Sequence, residues 1–485
     1  MSTIKDLQPQ AVWKNFYLLT QVPRPSGHLE KVQKFLLDWA KEKGVDAKMD
    51  GAGNVLMYKP ASPGMEDCKI VTLQGHMDMV PQKTNESTHD FENAPIETYI
   101  DGEWVKAKGT TLGADDGMAV ATIMAIMEDD SIKHGPLEGF ITADEETTMY
   151  GVNNMTADTL KGEILLNLDN ETEGEMVIGS AGGVNMTATL EYKPIEVDSA
   201  DAAVRVKLHD LLGGHSGLEI NEGRGNANKM MARLVQDAIV NFDACLAEWQ
   251  GGNMRNAIPR DAEVLLTLPK ENVEAFKEVV DEWRQTFKDE YGTIEGDLAL
   301  DVTDAPLPAE IVPGAIQDNL VDALCACHNG VYRFIPEVPS IVETSSNLAI
   351  VEIGGGKAMF KILIRSSRDS MRECLAETLE SAFAMADMKV ELDGDYPAWQ
   401  PNPQSEIVEI MKNVYRELFN KENNVQVVHA GLECGVIGAH KPGMDMVSFG
   451  PTLRSPHTPN ERCHIPSVDK YWQFVISTLE RTPKK

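Results

Sequence analysis

Five short apolar frames in this chain each end at a carboxylate or an imidazole. They are VTLQGHMD (His76, Asp78), LGADDG (Asp115, Asp116), FITADEE (Glu145, Glu146), ILLNLDN (Asp169) and SPHTP (His457). A charge placed directly after an apolar run is costly to bury unless something pairs with it. Strand-length runs that end this way therefore point to one architecture. In an open α/β sheet, ligands bind in the crevice outside the carboxyl ends of the strands, so residues distant in sequence can meet there.

The rest of the chain fits that reading. Residues 1–185 alternate helix and strand signals, the mark of a mostly parallel sheet with helices on its faces. Val32, Phe35, Leu36 and Trp39 recur at helical spacing up to Gly44, and Met118 to Met127 is apolar almost throughout, as in a helix buried beneath a sheet. Lys69 to Leu73, Gly139 to Thr142 and Ile164 to Leu168 read as strands. After Gly183 the pattern changes. Ala203 to Leu208 alternates as a half-exposed antiparallel strand does, and helices over Asn226 to Val240 and Glu274 to Phe287 are interleaved with strands over Glu263 to Leu268 and Ala358 to Ile364. This stretch holds none of the five frames and closes near the turn-rich segment Asp393 to Pro403. A helix from Ile407 to Leu418, strands over Val425 to Val428 and Met444 to Phe449, and a helix from Val468 to Leu479 then resume the first pattern. The expected fold is α/β: a domain of residues 1–185 and 396–485 on a mostly parallel sheet, interrupted by an inserted α+β domain of residues 186–395. At 485 residues, two domains are also what chain length favours.

Composition removes several function classes. A net charge of -32 without any basic cluster repels phosphate backbones, so nucleic acid is not an expected partner. No apolar stretch approaches the roughly 20 residues of a membrane span. The opening MSTIKDLQPQAVWKNF lacks the apolar core of a secretory signal, so a cytoplasmic location is expected and the seven cysteines read as reduced thiols. Cys325-Ala326-Cys327-His328 ends a helical pattern and reads as core, not as a metal site.

Imidazole nitrogens and carboxylate oxygens, with no cysteine in the frames, suit a catalytic metal pair better than a closed structural site. Each frame has a bland alternative: helix capping for Asp115-Asp116, a solvated acidic run for Glu145-Glu146. Their shared position at strand ends favours the metal reading. Two ions about 4 Å apart would lower the pKa of a shared water to near 7, and an unligated carboxylate would take its proton during attack on a carbonyl. Within the inserted domain, Gly213-Gly214-His215-Ser216-Gly217 places an imidazole in a Gly-rich loop, with a surface turn as the alternative. Asn256 and Arg365 lie at strand ends, where Arg365 is suited to clamp a carboxylate and a surface salt bridge is the alternative.

The set GHMDMVPQK, GTTLGADDG, DEE, LLNLD, GGHSG, RNAIPR, HAGLECG and PHTP resembles the M20 metallopeptidases, and looks most like their aminoacyl-histidine dipeptidase branch. The resemblance covers essentially the whole chain. It implies a catalytic domain interrupted by a lid, with two zinc ions for which manganese or cobalt can substitute. Asp115 would bridge the metals, His76 and Asp169 would complete one site, and Glu146 and His457 the other. Asp78 would orient the His76 side, and Glu145 would be the general base. His215 would reach the scissile carbonyl, with Asn256 and Arg365 binding substrate. Asp116, where relatives carry Asn, is not expected to be a ligand. The implied activity is hydrolysis of dipeptides, preferentially Xaa-His such as β-alanyl-histidine. The alternatives are another M20 reaction (tripeptide aminopeptidase, carboxypeptidase or N-acyl amino acid deacylase) and, in a different class, a non-catalytic metal- or peptide-binding protein. A homodimer is left open, because relatives pair through the lid while an enlarged lid can substitute for a partner.

Overall fold

The structure is a computed structural model that describes residues 3–336, 338–402 and 404–485. The chain divides into two compact units. One runs to Ser180 and resumes over Trp399–Val427 and Leu432–Lys485; the other comprises Ala181–Ala398 and Val428–Gly431.

The first unit is built on an eight-stranded sheet whose centre is parallel. Leu137–Thr142, Val71–His76, Ile164–Asn167 and Asp445–Ser448 run side by side in the same direction, with antiparallel neighbours outside them. All six residues of Val71–His76 and of Leu137–Thr142 are buried, as expected of strands covered on both faces. Helix Ala114–Glu128 is buried from Ala114 to Met127, and its core extends to helices Gln10–Thr20, Glu30–Lys43, Glu406–Phe419 and Ile465–Leu479. Helix Glu30–Lys43 stops at Gly44, which is left-handed at φ 71°, a conformation that costs glycine nothing. A separate four-stranded sheet pairs Leu453–Arg454 with Arg462–His464 and so frames the loop that carries His457.

The second unit has a nine-stranded antiparallel sheet with its own core under helices Ala227–Phe242, Val273–Tyr291, Gly314–Ala326 and Asp369–Met385. Strands Gly182–Glu191 and Lys389–Tyr396 pair with each other in this sheet, Asn185 opposite Asp393 and Gly183 opposite Tyr396. The expected domain cuts at 185/186 and 395/396 therefore fall inside two paired strands, and the division lies just outside them. Ladder hydrogen bonds hold both strands to the second sheet, which local composition does not register. The expected turn-rich segment ends at Pro403, which lies outside the described residues. Of the cysteine cluster, Cys327 is buried core, its Sγ 3.4 Å from the carbonyl of Leu324, while Cys325 and His328 are half-buried, with His328 Nδ1 2.7 Å from Ser346 Oγ.

Candidate metal centre

Three central strands, the start of the buried helix and a hairpin loop deliver the centre. His76 is the last residue of its strand, and Asp78 follows two residues on. Asp169 comes two residues after the end of Ile164–Asn167, and Glu145 and Glu146 follow Leu137–Thr142 after a turn at Asp144, φ 52°. Asp115 and Asp116 open the buried helix in non-helical geometry. His457, at φ 58°, belongs to the loop between strands Leu453–Arg454 and Arg462–His464.

These side chains converge. His76 Nε2 lies 3.2 Å from Asp115 Oδ1, 3.8 Å from Asp169 Oδ1 and 3.9 Å from Glu145 Oε2. Its other nitrogen, Nδ1, lies 3.3 Å from Asp78 Oδ1, so the carboxylate faces the ring from behind. His457 Nε2 is 3.0 Å from Asp115 Oδ2 and 3.0 Å from Glu146 Oε2. Asp115 thus presents one oxygen to each imidazole. Asp78 is held in turn by the hydroxyl of Ser26 at 2.7 Å and by the N–H groups of Glu145 and Glu146 at 3.0 and 3.2 Å.

Burial pushes the carboxyls of Glu145, Asp116 and Asp169 well above the ordinary range, and neighbouring carboxylates add to it. For Asp115, burial is outweighed by the hydrogen bonds of His457 and His76, which hold it well below that range. Hydrogen bonds to Asp115 and Glu146 raise His457 to about 11. So much negative charge in a low-dielectric site calls for a cation. One buried oxygen, Glu146 Oε1, has no hydrogen-bond partner among the described residues. Ligand-type atoms gather within 4.8 Å of one another in three groups: His76, Asp116 and Asp169; His76, Glu145 and Glu146; and Asp115, Glu146 and His457. Oxygen and imidazole donors in such overlapping groups fit a pair of divalent cations.

Two bland alternatives are disfavoured by this geometry. Neither aspartate caps its helix through the side chain, and the Glu145-Glu146 pair is largely buried rather than solvated. Asp116 stands in one ligand-type group with His76 and Asp169, while its Oδ2 accepts the backbone N–H of His76 at 3.1 Å.

Several charged residues around the centre carried no expectation. Glu433 is buried and accepts hydrogen bonds from Gln74 and from the Thr142 hydroxyl, and burial pushes it up to about 7. Glu461 and Arg24 are buried beside the Asp115 loop. A lone charge in an apolar frame, the signal that marks Asp169, also marks Glu433 in GLECGVIG.

The three residues of the inserted domain lie near one another in the second unit. Gly214–His215 pairs with Ala257–Ile258, which brings His215 beside Asn256: the N–H of Ser216 donates to the Asn256 carbonyl at 2.9 Å. Arg365 is buried, donates from Nη1 to the Tyr396 hydroxyl at 2.7 Å and has Nη2 3.5 Å from His215 Nε2. The surface salt bridge that was its alternative is absent, since no carboxylate pairs with Arg365 among the described residues. His215 Nδ1 accepts the N–H groups of Gly217 and Leu218 at 3.2 and 3.0 Å.

Comparison with known proteins identifies the family. The model of peptidase family M20/M25/M40 matches residues 72–481. The cytosol non-specific dipeptidase of Escherichia coli K12 is 40% identical over 485 residues, the whole of both chains. The crystal structure of aminoacylhistidine dipeptidase from Vibrio alginolyticus superposes with a TM-score of 0.88 at 42% identity, over 100% of this chain and 99% of that one. A tripeptidase from Staphylococcus aureus, 14% identical with a TM-score of 0.57 over 98% of this chain and 99% of that one, shares the fold.

Proposed function

This chain belongs to peptidase family M20/M25/M40 and is a hydrolase of peptide bonds, and from that premise we propose that it cleaves dipeptides, Xaa-His among them, at a two-zinc centre with Glu145 as general base. The observation that carries the reading is the convergence of His76, Asp115, Glu146, Asp169 and His457 with Glu145 beside them. His76, Asp115 and Asp169 would hold one ion, and Asp115, Glu146 and His457 the other, with manganese or cobalt as substitutes. When bound, the ions would supply Lewis acidity and an acidified water.

The protein's own groups do the rest. Glu145 takes a proton from the attacking water and returns it to the leaving amine, a role suited to a carboxyl that burial holds above the ordinary range. Asp78 faces Nδ1 of His76 and directs Nε2 inward. His215 reaches the scissile carbonyl, where charge develops on the oxygen. Arg365 receives the substrate carboxylate, and Asn256 binds substrate beside it. A cytoplasmic location belongs to the same reading, supported by the E. coli relative, a cytosol dipeptidase by name.

Two relatives support different breadths of substrate. The Vibrio protein is named for aminoacyl-histidine substrates, while the E. coli name supports broad acceptance of dipeptides. Free histidine release from β-alanyl-histidine, measured on zinc-loaded and chelator-stripped protein beside a panel of other dipeptides, tripeptides and acyl amino acids, tests both. Zinc-dependent release with histidine dipeptides preferred supports the narrow reading. Equal rates across dipeptides support the broad one, and cleavage of only tripeptides or acyl amino acids sinks the proposal.

A further inference from the structure

The reading above leaves several buried charges without a task, Arg24 and Glu461 among them. Their partners are the two loops that carry His76, Asp78, Asp115 and Asp116. Glu461 Oε2 accepts the N–H groups of Leu112 and Gly113 at 2.7 and 3.0 Å, and Oε1 those of Ala114 and Asp115 at 2.7 and 3.3 Å. Arg24 Nη1 donates to the carbonyls of Met77 and Asp78, each at 3.1 Å, and Nη2 donates to the carbonyl of Gly113. Residues 112–115 are therefore gripped on their amide side by an anion and at Gly113 O by a cation. The same cation also holds the backbone that follows His76.

The sequence makes room for this grip. A Cβ on Gly113 would lie 2.6 Å from Arg24 Nη2, and one on Gly117 2.5 Å from it. Gly113 also sits at φ 70°, where an L side chain is strained. The glycines framing Ala114-Asp115-Asp116 are thus explained by the guanidinium beside them. Glu461 itself is spent on four backbone donors, so it is no spare ligand. Its hydrogen bonds are charge-assisted and lie in a low dielectric, where such networks are stiff.

We propose that Arg24 and Glu461 are positioning residues, a clamp that holds Asp115 and His76 at metal-binding separation before any metal arrives. The inference rests on the reading of Asp115 and His76 as metal ligands. Without a clamp the loop would be free to spread, and the metal would have to gather its ligands as it bound. Groups that orient metal ligands typically contribute 10–100-fold in affinity.

The test uses Glu461→Gln and Arg24→Lys in the full-length protein. Zinc affinity is measured by competition with a chromophoric chelator, alongside thermal unfolding of the metal-free forms. The amide of Glu461→Gln has one acceptor oxygen in place of two and turns an N–H₂ toward backbone donors. The clamp predicts zinc binding about 10–100-fold weaker in the folded variant, with the KM for dipeptide on zinc-saturated protein close to wild type. A residue that merely stabilises the fold would lower the melting temperature and leave zinc affinity within about threefold, and that result overturns the proposal. If Glu461→Gln does not fold, Arg24→Lys decides by the same reading, and failure of both to fold assigns the pair to the fold and also overturns it. Should wild-type protein bind no zinc, the ligand assignment fails first, a result distinct from failure of the clamp alone.

Discussion

Glu145 and Glu146 are adjacent, yet their carboxylates address different imidazoles: Glu145 Oε2 stands 3.9 Å from His76 Nε2, and Glu146 Oε2 3.0 Å from His457 Nε2. The left-handed turn at Asp144 and the N–H groups given to Asp78 set this divergence. The looser approach of Glu145 suits a carboxylate that moves protons, and the tighter one of Glu146 suits a ligand. Replacing Glu145 with alanine should leave zinc stoichiometry unchanged and lower kcat by about 10²–10⁴, the usual contribution of a general base. Metal analysis and turnover on the same preparation check this, and near-normal kcat would remove Glu145 from the mechanism.

At the scale of elements, the centre depends on how strand Val71–His76 meets helix Ala114–Glu128. Gly75 lies where they touch: a Cβ there would sit 2.4 Å from Asp116 Oδ2 and 2.5 Å from Ala119 Cβ. Asp116 is pinned by the N–H of His76, and Ala119 is part of a buried helix, so neither can yield cheaply. Gly75→Ala should therefore cost about 1–3 kcal/mol, as overpacking a tight core does, and should weaken zinc binding as well. Denaturant titration and chelator competition read the two effects, and an unchanged denaturation midpoint would show that the helix shifts freely.

At the scale of the molecule, the second unit recruits the short segment Val428–Gly431 from the C-terminal part of the chain. His429 anchors it, with Nε2 2.7 Å from Ser345 Oγ. Burial, with the charges of Arg365 and His215, lowers this imidazole from 6.5 to about 3. The unfolded chain therefore takes up a proton near pH 6.5 that the folded chain refuses until about pH 3. Stability from this group is complete above 6.5 and falls as pH drops between the two values, by about 1.4 kcal/mol per pH unit once the unfolded histidine is protonated. Urea midpoints from pH 7 to 5 should fall more steeply for the wild type than for His429→Gln, and equal slopes would show that His429 is not the group responsible.

Much of this was legible in the chain because it is written locally. Helical spacing located Glu30–Lys43, Ala227–Phe242 and Glu406–Phe419 to within a few residues, and the short apolar runs marked the central strands. Charges stranded at or just past the ends of those runs drew attention to His76, Glu145 and Asp169, since a charge after an apolar strand needs a reason to be there. Asp115 opens a helix and His457 lies in a hairpin loop, so strand ends did not mark these two. What the sequence could not supply was partnership across long separations. Glu461 meets the Asp115 loop over 346 residues and Glu433 meets Gln74 over 359, and neither distance leaves a periodic trace. The pairing of Gly182–Glu191 with Lys389–Tyr396, and the transfer of Val428–Gly431 to the second unit, likewise depend on hydrogen bonds between distant segments. Sequence by itself determined which elements form and where reactive groups end them, because periodicity and stranded charge are short-range properties. The tertiary structure alone decided which buried charges orient the centre and which segments each unit claims, because those choices lie in contacts that exist only once the sheets are assembled.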